Sequence, residues 1–251
     1  MAVGIGRVKR GEADCFVSAG NTGGVLATAL LGLRRIQGIT SERPALAAIL
    51  PTTSRTRACV LLDVGANVDV KPEWLAQFAL MGSIYAELAL GLARPSVATL
   101  SVGEEEGKGN AILAAAVPLI RDLPIAYIGH VEGKDVTSGA ADVVVVDGFA
   151  GNIFLKGAEG VVATMTQLIR EELTSSLRRR LLAFGLRPAF RAVRERLSYE
   201  EVGGVPLLGV NGVCIVAHGR SSGRAMQNAI RAGARCAELG LVDRIRDRLA
   251  G

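Results

Sequence analysis

The chain has 251 residues, 49% of them hydrophobic and 21% charged, a balance that excludes a disordered chain. Aromatic residues at 4% exclude a single-strand nucleic-acid platform of stacked rings, and 31 glycines without a three-residue period exclude collagen. The formal net charge is +5, and residues 170–196 carry the whole excess with eight arginines against three glutamates, so a neutral body bears one basic appendage.

Short apolar runs at Cys15–Ser18, Leu46–Leu50, Cys59–Leu62, Val97–Val102, Ile125–Ile128, Val143–Val146 and Val213–Ala217 predict strands. Most are continuous rather than alternating, as in strands buried on both faces. Between them lie helical periods. Leu26, Leu30 and Leu33 share one face. Trp74, Phe78, Met81, Tyr85 and Leu88 step by four and three, with Pro72 and Glu73 suited to a first turn. This rhythm predicts an α/β fold with a mostly parallel sheet. Met165, Ile169, Leu173, Leu177 and Leu181 continue a helical face, Leu182–Pro188 reads as a turn, and Phe190–Leu197 as a returning helix. Residues 161–200 therefore predict a protruding basic helical hairpin inserted in a single domain spanning 1–251. The longest apolar runs, Gly23–Leu33 and Ala111–Ile120, are about half the roughly 20 residues of a spanning helix. No secretory signal is visible, and the four cysteines form no CxxC, which predicts buried thiols and a cytoplasmic protein.

Most strands end in a glycine-rich polar loop. These are Ser18–Gly24, Asp63–Asn67, Gly103–Asn110, Gly129–Lys134, Asp147–Asn152 and His218–Gly223. In open parallel sheets ligands bind beyond the carboxyl ends of the strands, and glycine lets backbone N–H groups approach an anion. The loops together predict the rim of a site. Familiar nucleotide motifs fail. Gly103–Gly109 is one residue short of a Walker loop and lacks the Ser/Thr after Lys108, and no GxGxxG follows a strand. There is no GxSxG elbow. Two histidines, His130 and His218, and no metal-ligand spacing leave no basis for a metal site.

An ordered set of segments carries a resemblance: GNTG (20–23), RPALA (43–47), LLDVGANVD (61–69), KPE with QFALMGS (71–83), GEEEGKGN (103–110), GHVEGKD (129–135), ADVVVVDGFAGN with LK (141–156), and GGVPLLGVNG with HG (203–219). The set resembles the bacterial phosphate acyltransferases of phospholipid synthesis, from Met1 to about Ile230. The resemblance implies a homodimeric three-layer α/β/α fold akin to phosphotransacetylases and isopropylmalate dehydrogenases. It implies acyl transfer from acyl-carrier protein to inorganic phosphate without a cofactor. The acyl phosphate would then serve a membrane glycerol-3-phosphate acyltransferase. The family's further N-terminal segment, with its DxMGGD-like stretch, is missing, and Met1 stands where the family has an interior methionine. Activity of this chain as an isolated piece is therefore an open expectation, with a non-catalytic membrane-binding scaffold as the alternative. A related phosphotransacetylase-type enzyme is the other.

Phosphate is already nucleophilic, so the protein must hold it, align it and stabilise an oxyanion. Lys108 and Lys156, each near an asparagine (Asn110, Asn152), are the expected cations, with a plain surface role open for Lys156. Asp147 and His218 complete the expected catalytic set; a loop-bonding aspartate and a structural histidine are their alternatives. Asn21, Thr22, Asp63, Asn67, Glu104, Asn110, Glu132, Asn152 and Asn211 are the expected substrate- or phosphate-binding residues. Thr22 equally suits a helix cap, and Asp63 equally suits bonding to loop amides. In the appendage, Arg179, Arg180, Leu182, Phe184, Leu186 and Phe190 combine arginines with apolar groups. That mixture predicts contact with an anionic membrane surface or an acidic carrier protein, against a dimer-packing hairpin as the bland alternative, and favours lipid over nucleic acid.

Overall fold

The computed structural model describes residues 1–36, 43–56, 58–197 and 203–250. Residues 198–200 of the expected hairpin and Gly251 lie outside them. In chain order the elements are α1 (Ala2–Lys9), β1 (Cys15–Ser18), α2 (Thr22–Gly32), β2 (Ala45–Leu46), β3 (Ala48–Pro51), β4 (Ala58–Leu62), α3 (Pro72–Leu90), β5 (Ser96–Leu100) and α4 (Ala111–Arg121). They continue with β6 (Ala126–Val131), α5 (Gly133–Ser138), β7 (Val143–Val145), α6 (Gly148–Thr174), α7 (Leu177–Gly185), α8 (Arg187–Leu197), β8 (Val205–Leu208), β9 (Val213–Val216), α9 (Gly223–Glu238) and α10 (Leu241–Ala250).

The strands form a four-stranded sheet of order β1-β9-β8-β2 and a five-stranded sheet of order β3-β4-β7-β5-β6. The predicted run Leu46–Leu50 is where they meet. It divides at Ala47, with β2 antiparallel to β8 and β3 antiparallel to β4. Ala47 N still donates to Pro206 O at 3.1 Å, so one strand crosses from sheet to sheet. The parallel pairs are β1 with β9, β4 with β7, β7 with β5 and β5 with β6. Strand β8, which carries Pro206 and follows two glycines of positive φ, was not among the predicted strands.

Successive strand residues feed opposite faces, as a pleat requires. Val60, Leu62, Val143, Val145, Val213 and Ile215 face one core, shared with α3, α4, α9 and α10. Cys59, Leu61, Val144, Val146, Cys214 and Val216 face the other, shared with α1, α2, α5 and the start of α6. Because both sheets contribute to both cores, they act as one middle layer of a three-layer α/β/α fold.

Helix α3 is the centre of the first core. Pro72 opens it, Gly91 at φ 70° ends it in the left-handed conformation, and every residue from Leu75 to Ala86 is buried. The predicted face of Phe78, Met81 and Tyr85 is correct but is only part of a helix buried all round. Its close approach to the sheet depends on Gly82, where a Cβ would sit 2.7 Å from Leu62 Cδ2 and 2.8 Å from Val143 Cγ1. In α2 the buried face is Val25, Ala29 and Leu33, while Leu26 and Leu30 pack at its margin.

The appendage differs in detail from its prediction. The face expected to run unbroken from Met165 to Leu181 is interrupted at Ser175 and Ser176, where Ser176 Oγ accepts from Arg179 N at 3.2 Å and caps α7. The expected turn at Leu182–Pro188 is mostly helix, with the break confined to Leu186. The returning α8 reaches the body through Arg196, whose Nη2 donates to Thr52 O at 2.7 Å.

Candidate functional site

Strands β9 and β2 run in the same direction, because both are antiparallel to β8, whereas β4 runs against β3. The carboxyl ends of the two sets of parallel strands therefore leave the crossover strand in opposite directions. This sorts the expected site residues into two groups and one outlier.

The larger group lies beyond β4, β5, β6 and β7. Asp63 is fully buried at the end of β4, and Asn67 is nearly so. Asp63 Oδ1 accepts from Leu46 N, Gly65 N and Ala66 N at 3.0–3.1 Å, and Oδ2 accepts from Asn67 N at 2.6 Å and Asn67 Nδ2 at 2.9 Å. Asn67 Nδ2 also donates to Pro44 O at 2.8 Å, and Asn67 O accepts from Gly148 N at 2.8 Å. Burial pushes the Asp63 carboxyl above the ordinary carboxylate range, against the pull of the amide donors. Asp147 caps α6, its Oδ1 accepting from Ala150 N at 2.8 Å. One turn into α6 the Asn152 side chain is exposed and lies 3.7 Å from the position of a Cβ on Gly65. Lys156, one further turn along, pairs with Glu159 at 3.2 Å.

The β5 and β6 loops complete this rim. Lys108 folds its stem back on Gly103, 3.2 Å from where a Cβ would be. Asn110 caps α4 by accepting from Leu113 N at 2.8 Å. Glu132 pairs with Lys134 at 3.0 Å, and the Lys134 ammonium, raised by Glu132 first, also feels Glu104 across the rim. Two features were not anticipated. Ser101 Oγ is buried without a hydrogen-bond partner at the end of β5. Behind it the buried Thr99 joins Tyr127 at 2.9 Å and His130 Nδ1 at 2.8 Å. Only the position of Ser101 at a strand end gives any hint of it in the sequence.

The smaller group lies beyond β1 and β9. Asn21 caps α2, with Oδ1 accepting from Gly24 N at 2.9 Å, so the cap is Asn21 and Thr22 is the first helical residue. His218 follows β9, and its Nδ1 accepts from Arg220 N at 3.1 Å, which leaves the neutral ring's proton on Nε2. The two loops are neighbours, since Ala217 N donates to Ser18 O at 2.8 Å. The outlier is Asn211. It sits in the β8–β9 turn, at the amino end of β9, where its amide donates to Arg34 O and its Oδ1 accepts from Arg246 Nη2 at 2.7 Å. The structure does not bring Asn211 to either rim.

The appendage residues Arg179, Arg180, Leu182, Phe184, Leu186 and Phe190 are all exposed. Arg187 stacks over Phe184 at 4.6 Å, and Arg179 pairs with Glu172. No helix among the described residues is long and apolar enough to cross a membrane, and no cluster of three or more His, Cys, Asp or Glu among them could hold a metal ion.

The assembled rim offers lysines, exposed amide side chains and helix amino ends rather than an acid–base dyad. That suits holding an anionic acceptor. Comparisons with known proteins bear on which one. A family described as "Fatty acid synthesis protein" matches residues 1–244. The phosphate acyltransferase of Desulfitobacterium hafniense is 48% identical over 243 residues, covering 96% of this chain and 72% of that protein. The phosphate acyltransferase of Synechococcus elongatus is 47% identical over 239 residues, covering 95% and 68%. Among solved structures, the EutD phosphotransacetylase of Staphylococcus aureus superposes with a TM-score of 0.60 at 18% identity, covering 94% of this chain and 67% of that one. A phosphotransacetylase of Streptococcus pyogenes gives 0.61 at 19%, with the same coverage. These two establish the shared fold. By the family match and the near-half identity along almost its whole length, the chain belongs to the fatty acid synthesis protein family, that of the phosphate acyltransferases, and is an acyl-transferring enzyme.

Proposed function

We propose that the chain transfers a fatty acyl group from acyl-carrier protein to inorganic phosphate, giving acyl phosphate for glycerol-3-phosphate acylation and so for phosphatidic acid. The observation that carries this reading is the 48% identity to a phosphate acyltransferase over 96% of the chain. The rim is consistent with it. Lys108, Lys156 and Asn152 stand exposed on neighbouring loops, where they can hold a phosphate dianion. A phosphate oxygen attacks the thioester carbonyl, the C–O bond forms, the C–S bond breaks, and the carrier leaves as a thiolate that takes a proton from water. Preorganised donors lower the barrier by aligning the two reactants and stabilising the oxyanion. His218 and Asn21, on the other rim, are the proposed donors toward the acyl carrier, and the reaction calls on no cofactor.

The appendage supplies the second half of the reading. Its tip exposes Leu177, Leu181, Leu182, Phe184 and Leu186 among arginines, a composition suited to an anionic membrane surface where the product would be used. The stem carries Phe149, Ile153, Val161 and Met165 at four-residue or eight-residue steps along one exposed stripe, a shape that fits a second copy of the chain.

The test mixes purified chain with palmitoyl-acyl-carrier protein and phosphate and traps product with hydroxylamine. Phosphate-dependent acyl hydroxamate is the expected outcome. Silence with this donor, together with phosphate-dependent turnover of acetyl-coenzyme A, would overturn the donor assignment in favour of the phosphotransacetylase-like activity that the shared fold also admits. Silence with both donors would overturn the enzymatic reading of this chain.

A further inference from the structure

Asp63 was expected to touch phosphate, and the geometry gives it other work. A carboxylate has about four lone-pair sites. Asp63 meets five donors from its own chain and is 0% exposed, so nothing of it remains for a substrate. The amides of Gly65, Ala66 and Asn67 turn inward to it and are likewise spent. What the loop offers outward is a seat. Gly148 N donates to Asn67 O, and a Cβ at Gly148 would lie 2.5 Å from that oxygen and 2.8 Å from Asp63 Oδ2. One turn on, a Cβ at Gly151 would collide with Asp63 O. Glycine at both points lets the first turn of α6 rest directly on the loop, and the next residue is Asn152, beside Gly65.

We infer that Asp63 is a positioning residue for the acyl acceptor: its carboxylate fixes the Gly65–Asn67 loop as the seat of α6 and thereby holds Asn152 where phosphate binds. The inference rests on the proposed phosphate-accepting reaction. Asp63 contacts neither reactant, so its loss acts on one substrate through Asn152 and leaves the acyl donor alone.

The experiment compares wild type with Asp63→Asn, measuring the KM for phosphate and for acyl donor separately, with circular dichroism as a check on folding. The expected result is a phosphate KM raised about tenfold, with kcat and the donor KM changed by less than about twofold. An unchanged phosphate KM, or equal rises in both KM values, overturns the inference, the second because a merely structural role would spread over both substrates. If Asp63→Asn does not fold, Asn67→Ala removes one of the five donors and should show the same split at about threefold. Line broadening of inorganic phosphate in the phosphorus-31 spectrum separates this inference from the reaction itself. Broadening by wild type that is lost in the variant supports the positioning role even where no acyl phosphate forms. Equal broadening by both, or by neither, overturns it.

Discussion

Helices α3 and α6 both begin in loops at strand carboxyl ends, and both carry large apolar side chains, yet their surroundings are opposite. Every residue of α3 from Leu75 to Ala86 is buried, whereas α6 buries only Gly148 and Gly151 along 27 residues. In α3 glycine serves packing at one point, Gly82, under a helix already enclosed. In α6 glycine provides the whole buried attachment, and the apolar stripe beyond it faces outward. An apolar side chain in the first setting contributes to the fold; in the second it contributes only when something else arrives to cover it.

The comparison can be broken most sharply at the two phenylalanines. Phe78→Ala should cost about 3–5 kcal/mol of unfolding free energy, because Phe78 is fully enclosed. Phe184→Ala should stay within about 0.5 kcal/mol, and equal losses in urea titrations of the two variants would break the contrast. Next in size is the attachment of α6. Gly151→Ala forces a methyl against Asp63 O and Val146 Cγ1, and should cost about 1–3 kcal/mol by thermal melting, more than Gly160→Ala, where the space is open. The smallest effect on stability belongs to the tip. Phe184→Glu with Leu186→Glu should leave the melting temperature nearly unchanged while abolishing sedimentation with anionic phosphatidylglycerol vesicles. Sedimentation equal to wild type would remove the membrane from the proposed function.

Much of the layer structure was readable from the sequence, for a physical reason. Strands such as Cys59–Leu62 and Val143–Val146 are buried on both faces, so they appear as unbroken apolar runs. Strand β8 was not readable because Pro206 and the preceding glycines look like a loop, and only its place between β2 and β9 makes it a strand. The polar residues after the strands were visible, but their duties were not. Asn21, Asn110 and Asp147 each spend a side-chain oxygen on the helix that follows. The residue types that cap a helix are also those that bind phosphate, and the strand-to-helix corner demands the cap first. Asn211 shows a different gap, since spacing along the chain does not say which pole of a sheet a turn occupies. The break at Ser175 and Ser176 carried a cap signal in its paired serines, masked by the apolar period running through it.

The enclosed thiols have a use of their own. Cys59 sits in β4 and Cys214 in β9, one in each sheet, and burial pushes both thiols up to about 12. At neutral pH roughly one in a hundred thousand of either is a thiolate while the sheet is closed, so an alkylating reagent must wait for the strand to open. The two cysteines are in effect separate clocks for the two halves of the middle layer. Mass-spectrometric timing of their alkylation would tell whether the halves joined at Ala47 come apart together or one before the other.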